Sequence, residues 1–264
     1  KYPYGKNVLI TGASTGIGKE CAILLSSYGY NVYGISRTIN ENETSFTAIK
    51  CDITNIDSLT SVKERIPKLN IIIHCAGFGI AGSAEDTQLD LVKAQFETNY
   101  FGVLNVNQIF MPYLRENTNS LIIGITSIGG KVPLPFQSHY SSTKYALEAY
   151  FQSLGMEAKD FGVKVTIIEP GDIKTGFTGK RVKYLNPTSP YNKMAIKAIK
   201  AMEEDEINGA QPYSIAKLVL KVCEKKNPPV RIATGIKYKI LMFLLPLIPD
   251  KIVNYILRKM YGLK

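Results

Sequence analysis

A five-residue apolar strand pattern, Asn7–Thr11 (NVLIT), runs straight into TGASTGIG, and a helical pattern starts at Ile17. Three glycines in that junction, Gly12, Gly16 and Gly18, permit a tight turn and let the backbone come close to a bound group. The helix behind them points its unpaired N–H groups and the positive end of its dipole at the same place. Strand, glycine turn and helix in this order suit the pyrophosphate of a dinucleotide. The expected contacts are Gly12, Ser14, Thr15, Gly16, Ile17 and Gly18. A chain that opens in this way is constrained to continue as a parallel sheet with helices on its faces.

The remaining pattern agrees with that constraint. Short apolar runs at 32–36, Thr47–Lys50, 69–74, 121–126 and 163–168 read as strands. Helical patterns near 17–28, 57–66, 88–114 and 140–160 lie between them. After Pro170 the texture loosens: 171–190 reads as a loop, 191–206 and 214–226 as helices, and 230–233 as a short strand. No repeat or Pro/Gly linker divides the chain, so one domain is expected over 1–264, with a core at about 6–233 and a helical tail at 237–264. The expected class is α/β, a doubly wound Rossmann-type parallel sheet with a helical C-terminal extension.

Composition removes several alternatives. The 264 residues are 45% hydrophobic, enough for a sizeable core. No apolar run reaches the roughly 18 residues of a membrane span, and the longest, 240–248, contains Pro246. The first ten residues, KYPYGKNVLI, lack the apolar block of a signal peptide. Cys21, Cys51, Cys75 and Cys223 form no CxxC pair, and the histidines are only His74 and His139. No metal site is expected, and a reducing cytoplasm is the simpler setting. The net charge of +10 is uneven: residues 1–173 carry 14 Lys/Arg against 16 Asp/Glu, and residues 174–264 carry 18 against 6. Anionic lipid, or an acidic carrier or substrate, would suit the basic third. No nucleic-acid motif accompanies the charge, so no nucleic-acid partner is expected.

The second strand ends Gly34-Ile35-Ser36-Arg37. An acid there would accept hydrogen bonds from a ribose 2′-hydroxyl and repel a 2′-phosphate. Ser36 stands in that place, and the Arg37 guanidinium beside it suits a phosphate. This favours NADP(H); Glu41 and Glu43 lie beyond the strand end. Farther on, Tyr140 and Lys144 (YSSTK) share one helix face. An ammonium near a phenol stabilises the phenolate, which makes the pair a proton donor and acceptor. Ser127 follows the strand pattern at 121–126, where parallel sheets place ligands, and could hold a substrate oxygen beside Tyr140.

Taken together, TGASTGIG, Asn99 in TNYFG, Ser127 in ITSIGG, YSSTK and EPGDIKT resemble the short-chain dehydrogenase/reductase family in order and spacing over about 6–178. The resemblance implies a seven-stranded doubly wound sheet and a tetrad of Asn99, Ser127, Tyr140 and Lys144. The tyrosine would protonate a carbonyl oxygen or deprotonate an alcohol, the lysine would also bind the nicotinamide ribose, and the asparagine would hold a relay water. It further implies cofactor contacts near the adenine from Asp52 and Ile53, close approach at Ala76 and Gly77, and contacts from Pro170, Gly171, Ile173 and Thr175. Thr175 matches the residue that meets the carboxamide. One departure is His74-Cys75-Ala76-Gly77, where the family usually has NNAG, so a bracing hydrogen-bond set is expected to be lost. His74 and His139 are expected to be structural, although His139 adjoins Tyr140.

Phe78, Ile80, Val132, Leu134, Phe136 and Phe177 should surround the substrate. The stretches 130–150 and DFGVKVTIIEPGDIKTGF are similar to hydroxysteroid and retinol dehydrogenases, which implies a lipophilic alcohol or ketone. A competing expectation is a 3-ketoacyl thioester on an acidic carrier or coenzyme A. A non-catalytic NADP(H)-sensing scaffold is a third, and the intact Tyr140/Lys144 pair argues against it. A homodimer or homotetramer in the cytoplasm is expected. The tail holds ILMFLLPLI and IVNYIL with Lys237, Lys239, Lys251, Arg258, Lys259 and Lys264, against Asp250 alone. That composition suits peripheral membrane contact, a lid over the substrate, or a subunit interface.

Overall fold

The computed structural model describes residues 1–263; Lys264 lies outside them. In chain order the first half contains β1 (Asn7–Thr11), α1 (Gly16–Ser27), β2 (Asn31–Ser36), β3 (Thr47–Lys50), α2 (Ile56–Arg65), β4 (Ile71–His74), β5 (Ile80–Gly82), α3 (Leu89–Phe96) and α4 (Gly102–Arg115). The second half contains β6 (Ser120–Ile125), α5 (Ser138–Glu157), β7 (Val163–Glu169), α6 (Phe177–Lys180), β8 (Val182–Tyr184), α7 (Asn192–Ile207), α8 (Pro212–Cys223), β9 (Arg231–Ala233), α9 (Ile236–Leu244) and α10 (Asp250–Met260). Seven strands form one parallel sheet in the order β3-β2-β1-β4-β6-β7-β9. The direction of winding reverses between β1 and β4, and the strand ends on either side of such a reversal bound a crevice.

Side-chain alternation decides which residues enter which layer. Along β1, Val8 and Ile10 face one side with α1 and α8, whose Cys21, Leu25, Ile215 and Val219 cover them. Leu9 faces the other side with Val106 and Phe110 of α4 and Leu147 and Phe151 of α5. Ile123 and Ile122 of β6 divide in the same way. Each fully buried side chain of this size contributes about 1.5–3 kcal/mol. Packing under Phe151 needs a residue without a side chain: a Cβ on Gly124 would stand 2.3 Å from the Phe151 ring.

Three features depart from the sequence pattern. The continuous helix expected over 88–114 is interrupted by a π-helical segment, Glu97–Phe101, between α3 and α4. The expected loop 171–190 holds α6 and β8, and β8 pairs with β5 in a small parallel sheet, Ile80 opposite Val182. Finally, β9 is pinned to its neighbours by charge. Arg231 reaches Glu169 at 2.7 Å and Glu148 at 2.9 Å, and Lys131 lies 3.5 Å from Glu148. Thr126 donates to Glu148 at 2.5 Å. Burial, with the Glu148 charge next, pushes Glu169 up to about 7.

Candidate active site

A cavity of about 980 Å³ occupies the crevice at the strand ends. Its first part is the glycine turn. Gly12 has φ +70, a left-handed conformation that a side chain disfavours, and a Cβ there would sit 2.8 Å from Ala76. A Cβ on Gly18 would meet the Gly12 carbonyl oxygen at 2.3 Å, so α1 can approach β1 only with glycine there. Thr15 caps α1 without a side-chain hydrogen bond, and no acidic residue occupies the first turn. The N–H groups of that turn are therefore available to an anion. The cradle fits a dinucleotide phosphate. Gly12, Ser14, Thr15, Gly16, Ile17, Gly18, Ser36, Arg37, Asp52, Ile53, Ala76, Gly77, Lys144, Pro170, Gly171, Ile173 and Thr175 all line this one cavity.

Beyond β2, Ser14 and Ser36 pair through their hydroxyls at 3.0 Å. Arg37 is exposed at the cavity edge, and no carboxylate pairs with it among the described residues. Both nearby acids are engaged elsewhere. Glu43 accepts from the Thr44 and Ser45 amides and lies 3.7 Å from Lys19. Glu41 accepts from the Lys50 amide and lies 3.9 Å from Arg65.

Ser127, Tyr140 and Lys144 meet at the middle of the cavity. Ser127 follows β6 and caps a single 3-10 turn, accepting from the Gly129 amide at 3.0 Å. Tyr140 and Lys144 stand one turn apart on α5, with the Lys144 Nζ 5.8 Å from the Tyr140 ring centre. Lys144 donates to the Ile125 carbonyl at 3.2 Å. Burial dominates both groups. It pushes the phenol up to about 12, opposed by a hydrogen bond with Ser127, and pushes the ammonium down to about 8. Desolvation therefore outweighs the expected depression of the Tyr140 pKa, and the phenol stays protonated at neutral pH.

Asn99 lies in the π segment, buried behind Gly77 rather than on the cavity wall. Its amide accepts from the Phe78 amide at 2.9 Å, and donates to the Phe78 carbonyl at 2.9 Å and to Thr143 at 3.2 Å. It thereby ties the chain after β4 to α5. The bracing expected to be lost at His74-Cys75 is replaced. His74 bonds to Asn107 at 2.9 Å, Asn107 donates to Tyr150 at 3.1 Å, and Thr11 accepts from both the Cys75 and Ala76 amides at 3.1 Å. His139 does not line the cavity, and burial lowers its pKa.

Phe78, Val132, Leu134 and Phe177 line the far part, and the Phe177 ring lies 5.7 Å from that of Tyr140. Two expected neighbours are elsewhere. Ile80 is buried in β5, and Phe136, at φ +60, turns away to pack on Ala81, Ala198 and Met202. The larger part of the apolar wall comes from the tail: Tyr238 and Leu241 of α9, Leu245, and Val253 and Leu257 of α10. Asp172, Asp205 and Glu206 also line the cavity. Sequence reasoning missed Asp205 and Glu206 because EEDE at the end of α7 resembles a solvated run, and it passed over Asp172 within EPGDIKT. Asp172 accepts from Tyr238, and Glu206 holds the buried Arg181 and accepts from Thr178 at 2.5 Å.

Comparison with known proteins agrees with this geometry. The short chain dehydrogenase family model matches residues 6–185. A 3-ketodihydrosphingosine reductase of Bacteroides thetaiotaomicron is 35% identical over 264 residues, covering 97% of this chain and 98% of that protein. A probable short-chain type dehydrogenase/reductase of Helicobacter pylori is 31% identical over 251 residues, covering 92% and 93%. A short-chain dehydrogenase structure from Streptomyces avermitilis superposes with a TM-score of 0.80 at 25% identity, covering 95% and 96%. A crevice lined by the glycine turn, a Ser–Tyr–Lys cluster within it and a family match over more than half the length place this chain in the short-chain dehydrogenase/reductase family of oxidoreductases.

Proposed function

We propose that this protein reduces a ketone on a long-chain lipophilic substrate with NADPH, and that 3-ketodihydrosphingosine represents the substrate class. The observation that carries the reading is the single cavity running from the glycine turn, past Tyr140, to an apolar wall built by α9 and α10. Arg37 beside Ser36, with Glu41 and Glu43 tied to other partners, supports a 2′-phosphate. The full-length relative that acts on a keto lipid supports the substrate class. Such a long-chain base carries an ammonium near its ketone, and Asp205, which no ion pair neutralises among the described residues, supplies negative charge on the same wall.

When bound, NADPH would supply the hydride for the carbonyl carbon. Ser127 holds the carbonyl oxygen. As the C=O π bond opens, Tyr140 gives that oxygen its phenolic proton. The Lys144 ammonium stabilises the phenolate that remains, and water restores the proton. Lys144 and Thr175 would hold the ribose and carboxamide, and Asn99 positions α5 through Thr143.

The test is NADPH oxidation with 3-ketodihydrosphingosine, a steroid ketone, retinal and acetoacetyl-coenzyme A. The long-chain keto base is expected to have the highest kcat/KM. Preference for the thioester would establish the ketoacyl reading instead. Cofactor binding without oxidation by any carbonyl would leave only the sensing scaffold.

A further inference from the structure

Helices α9 and α10 carry apolar residues on two sides. The inner side, Tyr238, Leu241, Val253 and Leu257, packs on Ile128 and Val132 and closes the cavity. The outer side is bare: Ile236 is 79% exposed, Phe243 78%, and Leu247 in the turn between the two helices 75%. Ile240, Leu244, Ile256 and Met260 belong to both sides, lining the cavity while remaining about half exposed. Side chains that do both form the rim of an opening. The cavity mouth is therefore set within the bare apolar face, not beside it.

Cations surround this face. Lys237, Lys239, Lys251 and Lys259 are exposed, and Asp250 is the sole acid of the two helices. No helix among the described residues is long and apolar enough to cross a membrane. Short amphipathic helices with cationic edges lie in the plane of a bilayer, apolar side chains among the acyl chains and ammonium groups at the phosphates. A second copy of the chain is a poorer occupant. A twofold interface on this face would set the same lysines near their own counterparts, with one aspartate per copy to offset them.

We propose that α9 and α10 seat the protein on an anionic bilayer surface with the cavity mouth facing the lipid, so that substrate enters from the membrane without crossing water. The docking stands on the surface alone; the route of entry rests on the lipophilic-substrate reading above.

The intact protein is sedimented with vesicles of phosphatidylcholine alone and of phosphatidylcholine with phosphatidylglycerol, at low and high salt. Binding to the anionic vesicles at low salt, weakened by salt, is expected. Reversing two cations (Lys239→Glu with Lys251→Glu) should weaken it by roughly tenfold or more. Phe243→Glu with Leu247→Glu, at side chains outside the cavity, should abolish it while leaving turnover of a water-soluble ketone unchanged. Long-chain ketone in anionic vesicles should then be reduced more slowly by that variant than by the intact protein. Failure of the intact protein to bind anionic vesicles at low salt overturns the proposal. So does equal binding by the Phe243/Leu247 variant, or a variant that turns a dimer into monomers and keeps its vesicle binding. Vesicle binding with no turnover of any lipophilic ketone supports the docking and refutes the substrate reading.

Discussion

Replacing His74 with Asn should make the protein more tolerant of acid. His74 ends β4 with its ring enclosed: Nε2 meets Asn107 at 2.9 Å, Nδ1 has no partner, and the Phe151 ring centre is 5.6 Å away. Burial pushes the imidazole from 6.5 down to about 4. Below 6.5 the unfolded chain takes up a proton that the folded one refuses, so stability is complete above that pH and falls as pH drops towards 4. The full loss is about 3 kcal/mol, of which about 1.4 kcal/mol has gone by pH 5.5. Urea unfolding of the two proteins, followed by circular dichroism at about pH 7.5 and about pH 5.5, isolates this contribution as the difference between their pH-dependent losses. Asn keeps a hydrogen-bonding amide and does not titrate. Any loss of packing in the variant appears equally at both pH values and cancels. Parallel loss by the two proteins would refute the reasoning, since an imidazole that charges freely in the fold carries no such penalty.

Tyr140→Phe is expected to lower turnover by about 100-fold or more while NADPH affinity, read by fluorescence titration, is retained; activity within tenfold of the parent would remove the phenol from its role. Ser36→Asp with Arg37→Ala should move kcat/KM towards NADH, and a parent enzyme that already prefers NADH would show that Arg37 does not read a phosphate. Carbonyl reduction should decline above about pH 8 as Lys144 loses its proton, because burial has brought that ammonium down to about 8; a rate still rising through that range contradicts the electrostatic part played by Lys144.

Local pattern made much of this fold legible, and the misses have local causes too. Alternation and glycine placement located the β1 turn, because Gly12 and Gly18 answer to neighbours close in the chain or directly across β4. The small β5–β8 sheet was hidden because Ile80–Gly82 and Val182–Tyr184 are three residues each, too short for periodicity to show. The helix across Asn99 looked continuous since a π segment adds a residue to a turn without changing composition. Phe136 was misplaced by its backbone, whose φ of +60 redirects an aromatic side chain that composition alone would put at the substrate. The helical tail expected at 237–264 folds as α9 and α10. Its share of the cavity wall depends on tertiary packing against Ile128 and Val132, more than a hundred residues away in sequence. Arg231 and Glu148 are 83 residues apart, and nothing in either neighbourhood announces the pair.

The order of the strands also bears on how the chain leaves the ribosome. After β1–β3 have formed one flank, β4 docks on the free edge of β1, and β6, β7 and β9 then each dock on the edge left by the sheet strand before, in the order in which they are synthesised. No strand of this flank has to be inserted between two others, so the sheet can grow by accretion while the remainder is still being made. Until Arg231 emerges, Glu148 and Glu169 face each other with Lys131 3.5 Å from Glu148 and Lys144 also within its field. The cation on the last strand to appear is the one that reaches both carboxylates. Ribosome-arrested chains ending before residue 231 should protect the earlier strands from protease and leave the β7 edge cleavable; protection arising all at once, after residue 233, would show that nothing docks until the end. On this flank the order of synthesis and the order of the strands across the sheet are the same order.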